Sequence, residues 1–244
     1  MQQLFPSHVD DVDVLALYAA DSRPAPTDRP WVMMNMISSA DGGISIDGVS
    51  GGLGGPADKA VFTAIRAVAD VILVASGTVR AENYRRPQTP ITVQAIREHR
   101  GQLARPELAI VTGSLSLGSD HRVFDDNIPI VLTHAQAPAA RRAELAPHAE
   151  ILDAGIDSVD LGLALRMLRE RGARTVLLEG GPTLNGHLVS AGLVDEVCLS
   201  LSPLLVGGRS SRIVASEGPG ITTDLTLQRI LQQDGLTFYR YTRT

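Results

Sequence analysis

The sequence predicts an α/β fold: a mixed, mostly parallel central sheet with helices on both faces. Three observations carry this. Short apolar runs recur along the chain, as in strands covered on both sides. Segments with apolar residues at helical spacing separate several of them. The last strand-like segments follow each other without a helix, which places an antiparallel pair at the end of the chain. With 244 residues, 44% of them apolar and 20% charged, the chain can build one α/β body and lies far from a disordered composition.

Residues 9–20 read as a short helix with Val9, Val12, Leu15 and Leu17, and residues 21–30, with Pro24, Pro26 and Pro30, as a loop. Together they suggest an N-terminal helical arm (1–30) on a body spanning 31–244. The first strand is the apolar run 31–37. The glycine-rich stretch 44–55 has little to pack and reads as a flexible loop. Val61, Ile65 and Val68 set a helix over 58–69, and residues 71–75 a strand ending in a turn at 76–79. Residues 108–112 and 128–133 are strands. A poorly specified helix covers 138–149. A better one covers 160–170, with Leu161, Ala164, Leu165 and Leu168 on one side and Gly172 as C-terminal cap. Strand 175–178 runs into Glu179-Gly180-Gly181. A helix follows over 182–191, with Pro182 in its first turn and Gly192 after its last. Residues 194–202 form a strand, and 225–230 and 236–241 the terminal pair, joined through Gln232-Gln233-Asp234-Gly235.

Composition excludes several functions. A net charge of −5 and 4% aromatic residues offer neither the basic face nor the stacking platform that nucleic acid needs. Arg85-Arg86, Arg141-Arg142 and Arg166/Arg169/Arg171 are local basic spots that also read as solvated faces. No apolar run is long enough to span a membrane, and the first residues lack the pattern of a signal peptide. The single cysteine, Cys198, sits in a strand-like run as a small core residue, consistent with a cytoplasmic protein. The six histidines show no ligand spacing, so no metal is expected; His187 reads as a surface or helix residue. Neither GxSxG nor GxGxxG is present.

Ligands of α/β sheets gather at the C-terminal ends of strands. Four loops lie there: 38–43, 76–79, 112–116 and 179–184. The last is the most specific. Gly180 and Gly181 let the backbone approach a ligand, the helix from Pro182 offers free N–H groups to a pyrophosphate, and Thr183 adds a hydroxyl. A tight strand-to-helix turn without a ligand is the alternative. Gly77-Thr78 repeats the logic after a second strand. Asp41 is either an Asx-type turn residue or a carboxylate for a polar group of the substrate, with the neighbouring loop able to close over it. The guanidinium forks of Arg85 and Arg86 match a phosphate or carboxylate, or are compositional, since Lys59 is the one lysine in the chain.

Five segments follow one another along the chain: Ser39-Ala40-Asp41-Gly42, the run 69–80, Glu179-Gly180-Gly181-Pro182-Thr183-Leu184-Asn185, Leu193-Val194-Asp195-Glu196, and Pro203-Leu204-Leu205-Val206-Gly207-Gly208. With them, residues 31–241 resemble the C-terminal reductase domain of the bifunctional riboflavin-biosynthesis deaminase-reductase, especially its stand-alone pyrimidine reductases. The resemblance implies a dihydrofolate-reductase-like fold, a cytoplasmic homodimer, and NADPH-dependent reduction of 5-amino-6-(5-phosphoribosylamino)uracil. It implies cofactor contacts at Gly77, Thr78 and Val79 and at Glu179, Gly180, Gly181, Pro182, Thr183 and Leu184. The nucleotide half would approach Thr112, with the 2′-phosphate near Gly113 and Ser114. Asp41 and Glu179 match the family's acidic residues and would orient the substrate. Asn35, Ser39, Asp41, Asn83, Arg85 and Arg86 would line its pocket. Two departures bear on the substrate: Asn35 replaces a lysine, and Ala81-Glu82-Asn83-Tyr84-Arg85-Arg86 replaces the usual Ala-Asp-Asn-Pro stretch. A dihydropterin reductase and a non-catalytic nicotinamide-nucleotide-binding protein are the competing readings. No zinc deaminase motif is present, so the expected activity is the reductase step alone.

Overall fold

The computed structural model describes residues 1–125, 128–216 and 222–244. They form two compact units. One comprises Met1–Pro24, Trp31–Val68 and Leu177–Thr244, the other Ala25–Pro30 and Ala69–Val176.

In the first unit the strand order is β1 (Gln2–Phe5), β9 (Leu225–Gln233), β10 (Leu236–Arg243), β8 (Glu196–Ser202) and β2 (Trp31–Ser39). β2 and β8 are parallel, from Met33 opposite Glu196 to Ser39 opposite Ser202. The other three pairings are antiparallel. The β9–β10 hairpin turns at Asp234 and Gly235, with φ of 52° and 81°, the left-handed pair that an Asp-Gly two-residue turn supplies. Asp13 caps α1 (Val14–Ala20) by accepting Ala16 N–H at 3.1 Å. α2 (Pro56–Val68) buries Ala57, Val61, Ala64, Ile65 and Val68 at helical spacing, and α1 packs against it. α7 (Pro182–Ser190) also belongs to this unit.

A buried charge network ties the N-terminal segment to the sheet of this unit. Glu196, 0% exposed, accepts from Arg23 Nε and Nη2, Arg240 Nε and Trp31 Nε1 at 2.8–3.0 Å. Asp21 accepts from Arg229. Burial alone would raise the Glu196 pKa, but the Arg23 and Arg240 guanidiniums outweigh it and hold the carboxyl below its ordinary value. Cys198 is buried on β8, as its apolar neighbours indicate.

In the second unit β3 (Val71–Ala75), β4 (Glu107–Val111), β5 (Ile130–Thr133) and β6 (Glu150–Asp153) are parallel in that order. Their buried residues are nearly all apolar, as a sheet covered on both faces requires. The unit's helices are α3 (Ser76–Ala81), α4 (Ile91–His99), α5 (Ala139–Leu145) and α6 (Leu161–Glu170). Asp160 caps α6 through Leu163 N–H at 2.9 Å. β7 (Thr175–Leu178) straddles the division between the units.

Three points differ from the expectation. Residues 76–79 are the first turn of α3 rather than a turn closing β3. The chain leaves Ala75 extended (ψ 144°) and coils at once, because backbone bonds such as Glu82 N–H to Thr78 O close the turn. The N-terminal helix begins at Val14 rather than residue 9; residues 2–5 pair as β1 and Val9 bridges Gln3. α4 and β6 carry no sequence signal strong enough to have been expected. Among the described residues, no helix is long and apolar enough to cross a membrane.

Candidate functional site

The loop leaving β2 is closed by Ser39. Its N–H donates to Gly43 O at 2.8 Å, and its Oγ accepts Gly43 N–H at 2.9 Å and donates to Asp41 Oδ1 at 2.5 Å. Gly43 is closely packed: a Cβ would stand 3.1 Å from Ser39 Oγ and 3.2 Å from Ser210 Cβ, so both side chains would have to give by a few tenths of an ångström. Asp41 is turned outward onto a second loop: Oδ1 accepts Val206 N–H at 3.1 Å and Oδ2 accepts Gly207 N–H at 2.7 Å. Gly207 and Gly208 have φ of 64° and 67°, a left-handed pair that favours glycine. Ser210 Oγ accepts Ile44 N–H at 2.8 Å and Ser45 N–H at 3.2 Å, so the two loops are joined at both ends.

Between them lies a cavity of about 540 Å³, lined by Ser38, Asp41, Gly42, Gly43, Gly207, Gly208, Ser210, Arg212 and Ile213. Its size suits a small metabolite. The Ser39 hydroxyl, then the Gly207 and Val206 N–H groups, hold the Asp41 pKa at about 2. Asp41 is therefore an acceptor, not a proton donor, near neutral pH.

The glycine turn is built from β7 into α7. Glu179, with 5% of its side chain exposed, accepts Arg66 Nε and Nη2 at 2.7 Å each, and the Arg66 guanidinium lies over the Phe62 ring at 3.9 Å. Gly180 has φ 96°, a conformation for glycine, and the Gly180–Gly181 peptide is cis. Gly181 is the N-cap of α7, no side chain caps it, and Pro182 follows. The first-turn N–H groups of Thr183 and Leu184 lie beyond the reach of intrahelical acceptors. This suits a pyrophosphate. Thr183 is exposed and Leu184 buried.

α7 also holds the cavity wall. Asn185, 0% exposed, donates from Nδ2 to Ile213 O at 2.7 Å, and Ala215 N–H donates to Pro182 O at 3.0 Å. A Cβ on Gly186 would fall 1.9 Å from Ala215 O.

Of the expected site residues, the first unit thus brings Ser39 and Asp41 together at the cavity and links its wall to the turn at 179–184. Asn35 lies on β2, half-buried and opposite Cys198. In the second unit Gly77, Thr78 and Val79 follow β3, and Thr112, Gly113 and Ser114 follow β4. These are neighbouring strand ends, Ala75 pairing with Val111. A Cβ on Gly77 would meet nothing within 4 Å, so protein packing does not demand this glycine. The Thr112 hydroxyl is engaged, accepting Leu115 N–H at 3.1 Å. Asn83 has φ 45°, Arg85 is exposed and Arg86 half-buried. Among the described residues, no group of three His, Cys, Asp or Glu could hold a metal.

Sequence reasoning missed Arg66, Asn185, Ser210 and Arg212. The signal for the last two is the run Gly207-Gly208-Arg209-Ser210-Ser211-Arg212 in the loop after β8, which ends at Ser202; it places glycines, hydroxyls and cations together.

A pyrimidine reductase-like protein of Corynebacterium diphtheriae matches this structure with a TM-score of 0.82 and 25% identity, over 96% of this chain and 99% of that one. The class is the dihydrofolate-reductase-like α/β reductase. The RibD C-terminal domain model matches residues 30–235, and the chain belongs to that family. Two curated relatives are named 2,5-diamino-6-ribosylamino-4(3H)-pyrimidinone 5′-phosphate reductase. That of Methanothermobacter thermautotrophicus is 34% identical over 79% of this chain and 86% of its own length. That of Archaeoglobus fulgidus is 30% identical over 76% and 86%.

Proposed function

We propose that this reductase converts the ribosylamino group of 5-amino-6-(5-phosphoribosylamino)uracil to a ribitylamino group, with NADPH, in riboflavin biosynthesis. The family match over most of the chain carries the reading. The two archaeal relatives favour a second substrate, the diaminopyrimidinone of their names. Both compounds bear the same ribosylamine 5′-phosphate, where the reduction occurs, and they differ on the pyrimidine ring.

NADPH, when bound, supplies the hydride. The chain's part is to hold, orient and exclude. The uncapped N-terminus of α7 and the bare backbone of Gly180 and Gly181 fit the cofactor pyrophosphate, with Thr183 adding a hydroxyl. On the second unit, Gly77, Thr78 and Val79 and the Thr112–Gly113–Ser114 segment are the proposed cofactor contacts, with the 2′-phosphate at Gly113 and Ser114. Asp41 accepts a hydroxyl or N–H of the substrate in the cavity. With its pKa at about 2, it leaves proton delivery to water. Glu179 positions the glycine turn through its two bonds to Arg66. Asn35, Asn83, Arg85 and Arg86 are proposed substrate contacts. A cytoplasmic homodimer is the proposed state.

NADPH oxidation at 340 nm, followed with the ribosylaminouracil phosphate, the diaminopyrimidinone phosphate and dihydrofolate in separate reactions, tests the reading. Turnover with either pyrimidine and none with dihydrofolate is expected. Faster turnover of dihydrofolate refutes it. Equal affinity for NADH removes the assignment at Gly113 and Ser114.

A further inference from the structure

The cavity beside Asp41 contains a cation that the described residues do not use. Arg212 lines it, is exposed, and has no ion pair with another described residue. No ion pair joins it to the cavity's carboxylate: Asp41 Oδ1 accepts from Ser39 and Val206 and Oδ2 from Gly207, which leaves a lone pair of Oδ2 for a ligand. Carboxylate and guanidinium therefore share one space without neutralising each other.

The rest of the wall suits a charged, hydroxylated ligand. A Cβ on Gly42, Gly207 or Gly208 would meet nothing within 4 Å, so bare backbone faces open space there. Arg212 is also presented from an anchored segment. The next residue, Ile213, gives its carbonyl to the buried Asn185 amide at 2.7 Å, and Ala215 is bonded to Pro182. A guanidinium fork on a fixed backbone loses less freedom on binding and matches phosphate oxygens in pairs.

We propose that Arg212 binds the phosphate monoester of the substrate, while Asp41 accepts from its hydroxyl or N–H groups. The residue thus selects phosphorylated sugar amines over unphosphorylated ones. The assignment rests on the proposed function for the identity of the sugar amine, not for the anion itself. It gives the phosphate role to the unit that carries Asp41, in place of Arg85 or Arg86.

The test is calorimetric binding of ribose 5-phosphate and of ribose to the full chain without cofactor, with Arg212→Gln, Arg212→Lys and the double variant Arg85→Gln/Arg86→Gln. The wild type should prefer the phosphorylated sugar by about tenfold or more, as a charge-assisted pair provides. Arg212→Gln should abolish that preference at unchanged Tm, Arg212→Lys should keep part of it, and the double variant should keep all of it. Retention of the preference by Arg212→Gln, or its absence in the wild type, overturns the proposal. The readout is independent of turnover. Preference for ribose 5-phosphate without reduction of either pyrimidine would refute the function and leave Arg212 as an anion site. Reduction with unchanged KM in Arg212→Gln would do the reverse.

Discussion

Replacing Gly186 by alanine should destabilise the protein, against the usual direction of that change in a helix. An unobstructed Gly-to-Ala change inside a helix gains about 1 kcal/mol. Here the new Cβ would stand 1.9 Å from Ala215 O and 2.8 Å from its carbonyl carbon. A tolerable C···O approach is roughly 3.3 Å, so the two backbones must part by roughly 1.4 Å. Little freedom exists for that movement, because Ala215 N–H bonds Pro182 O and Asn185 Nδ2 bonds Ile213 O. Overpacking costs about 1–3 kcal/mol, and weakening these two hydrogen bonds costs about 1 kcal/mol each. The steric term wins, leaving a net loss of about 2–4 kcal/mol, or a fall in Tm of about 4–16 °C for a chain of this size. Differential scanning calorimetry reads the first effect. The displaced wall at Ile213 should also raise KM for the substrate more than KM for NADPH. A variant as stable as the wild type, or more so, would refute the packing argument.

Three further outcomes follow from named contacts. Glu196→Gln removes the charge that faces the buried guanidiniums of Arg23 and Arg240, and should cost about 3–5 kcal/mol in urea unfolding. Because the folded-state pKa of Glu196 is depressed, its contribution is present above the unfolded value near 4.3 and is lost as pH falls through the folded value, so wild-type stability should decline on that acid side. Asp41, held at about 2, stays ionised from pH 5 to 9; Asp41→Asn should lower kcat/KM by the same factor across that range without shifting the profile, and a changed acid limb would contradict the acceptor role. Glu179→Gln leaves the Arg66 fork half-satisfied beneath the glycine turn. It should cost about 2–3 kcal/mol, discounted for the partial exposure of Arg66, and weaken NADPH binding by fluorescence titration.

The strands β2, β3, β4, β7 and β8 are legible in the sequence because each is an apolar run buried in the structure. α2 and α6 are legible because their buried residues recur at helical spacing. β6 was invisible. It is four residues long, half-exposed and at the edge of its ladder, so burial writes no unbroken run into Glu150-Ile151-Leu152-Asp153. α4 hides for another reason. Its buried residues are Val93 and Arg97, while Ile91 and Ile96 are exposed, so hydrophobicity points away from its inner face. Arg97 is fully buried because its guanidinium serves the carbonyls of Ala69 and Leu103, a role no pattern of apolar residues announces. In the site, Asp41 and Gly180–Gly181 could be read because they follow strands directly. The partners of Asp41 and Ile44 lie some 165 residues further on, at Val206, Gly207 and Ser210. Only folding brings the cavity's second wall, with Arg212, against the first.

The central claim is that this chain delivers hydride to the sugar carbon of a ribosylaminopyrimidine phosphate. NADPH deuterated at the transferable nicotinamide position, incubated with the enzyme and the ribosylaminouracil phosphate, tests it most directly when the product is read by mass spectrometry and NMR. One deuterium at the carbon bonded to the exocyclic nitrogen of a ribitylamino product is the predicted result. A product without deuterium there, or an unchanged substrate, would contradict the account.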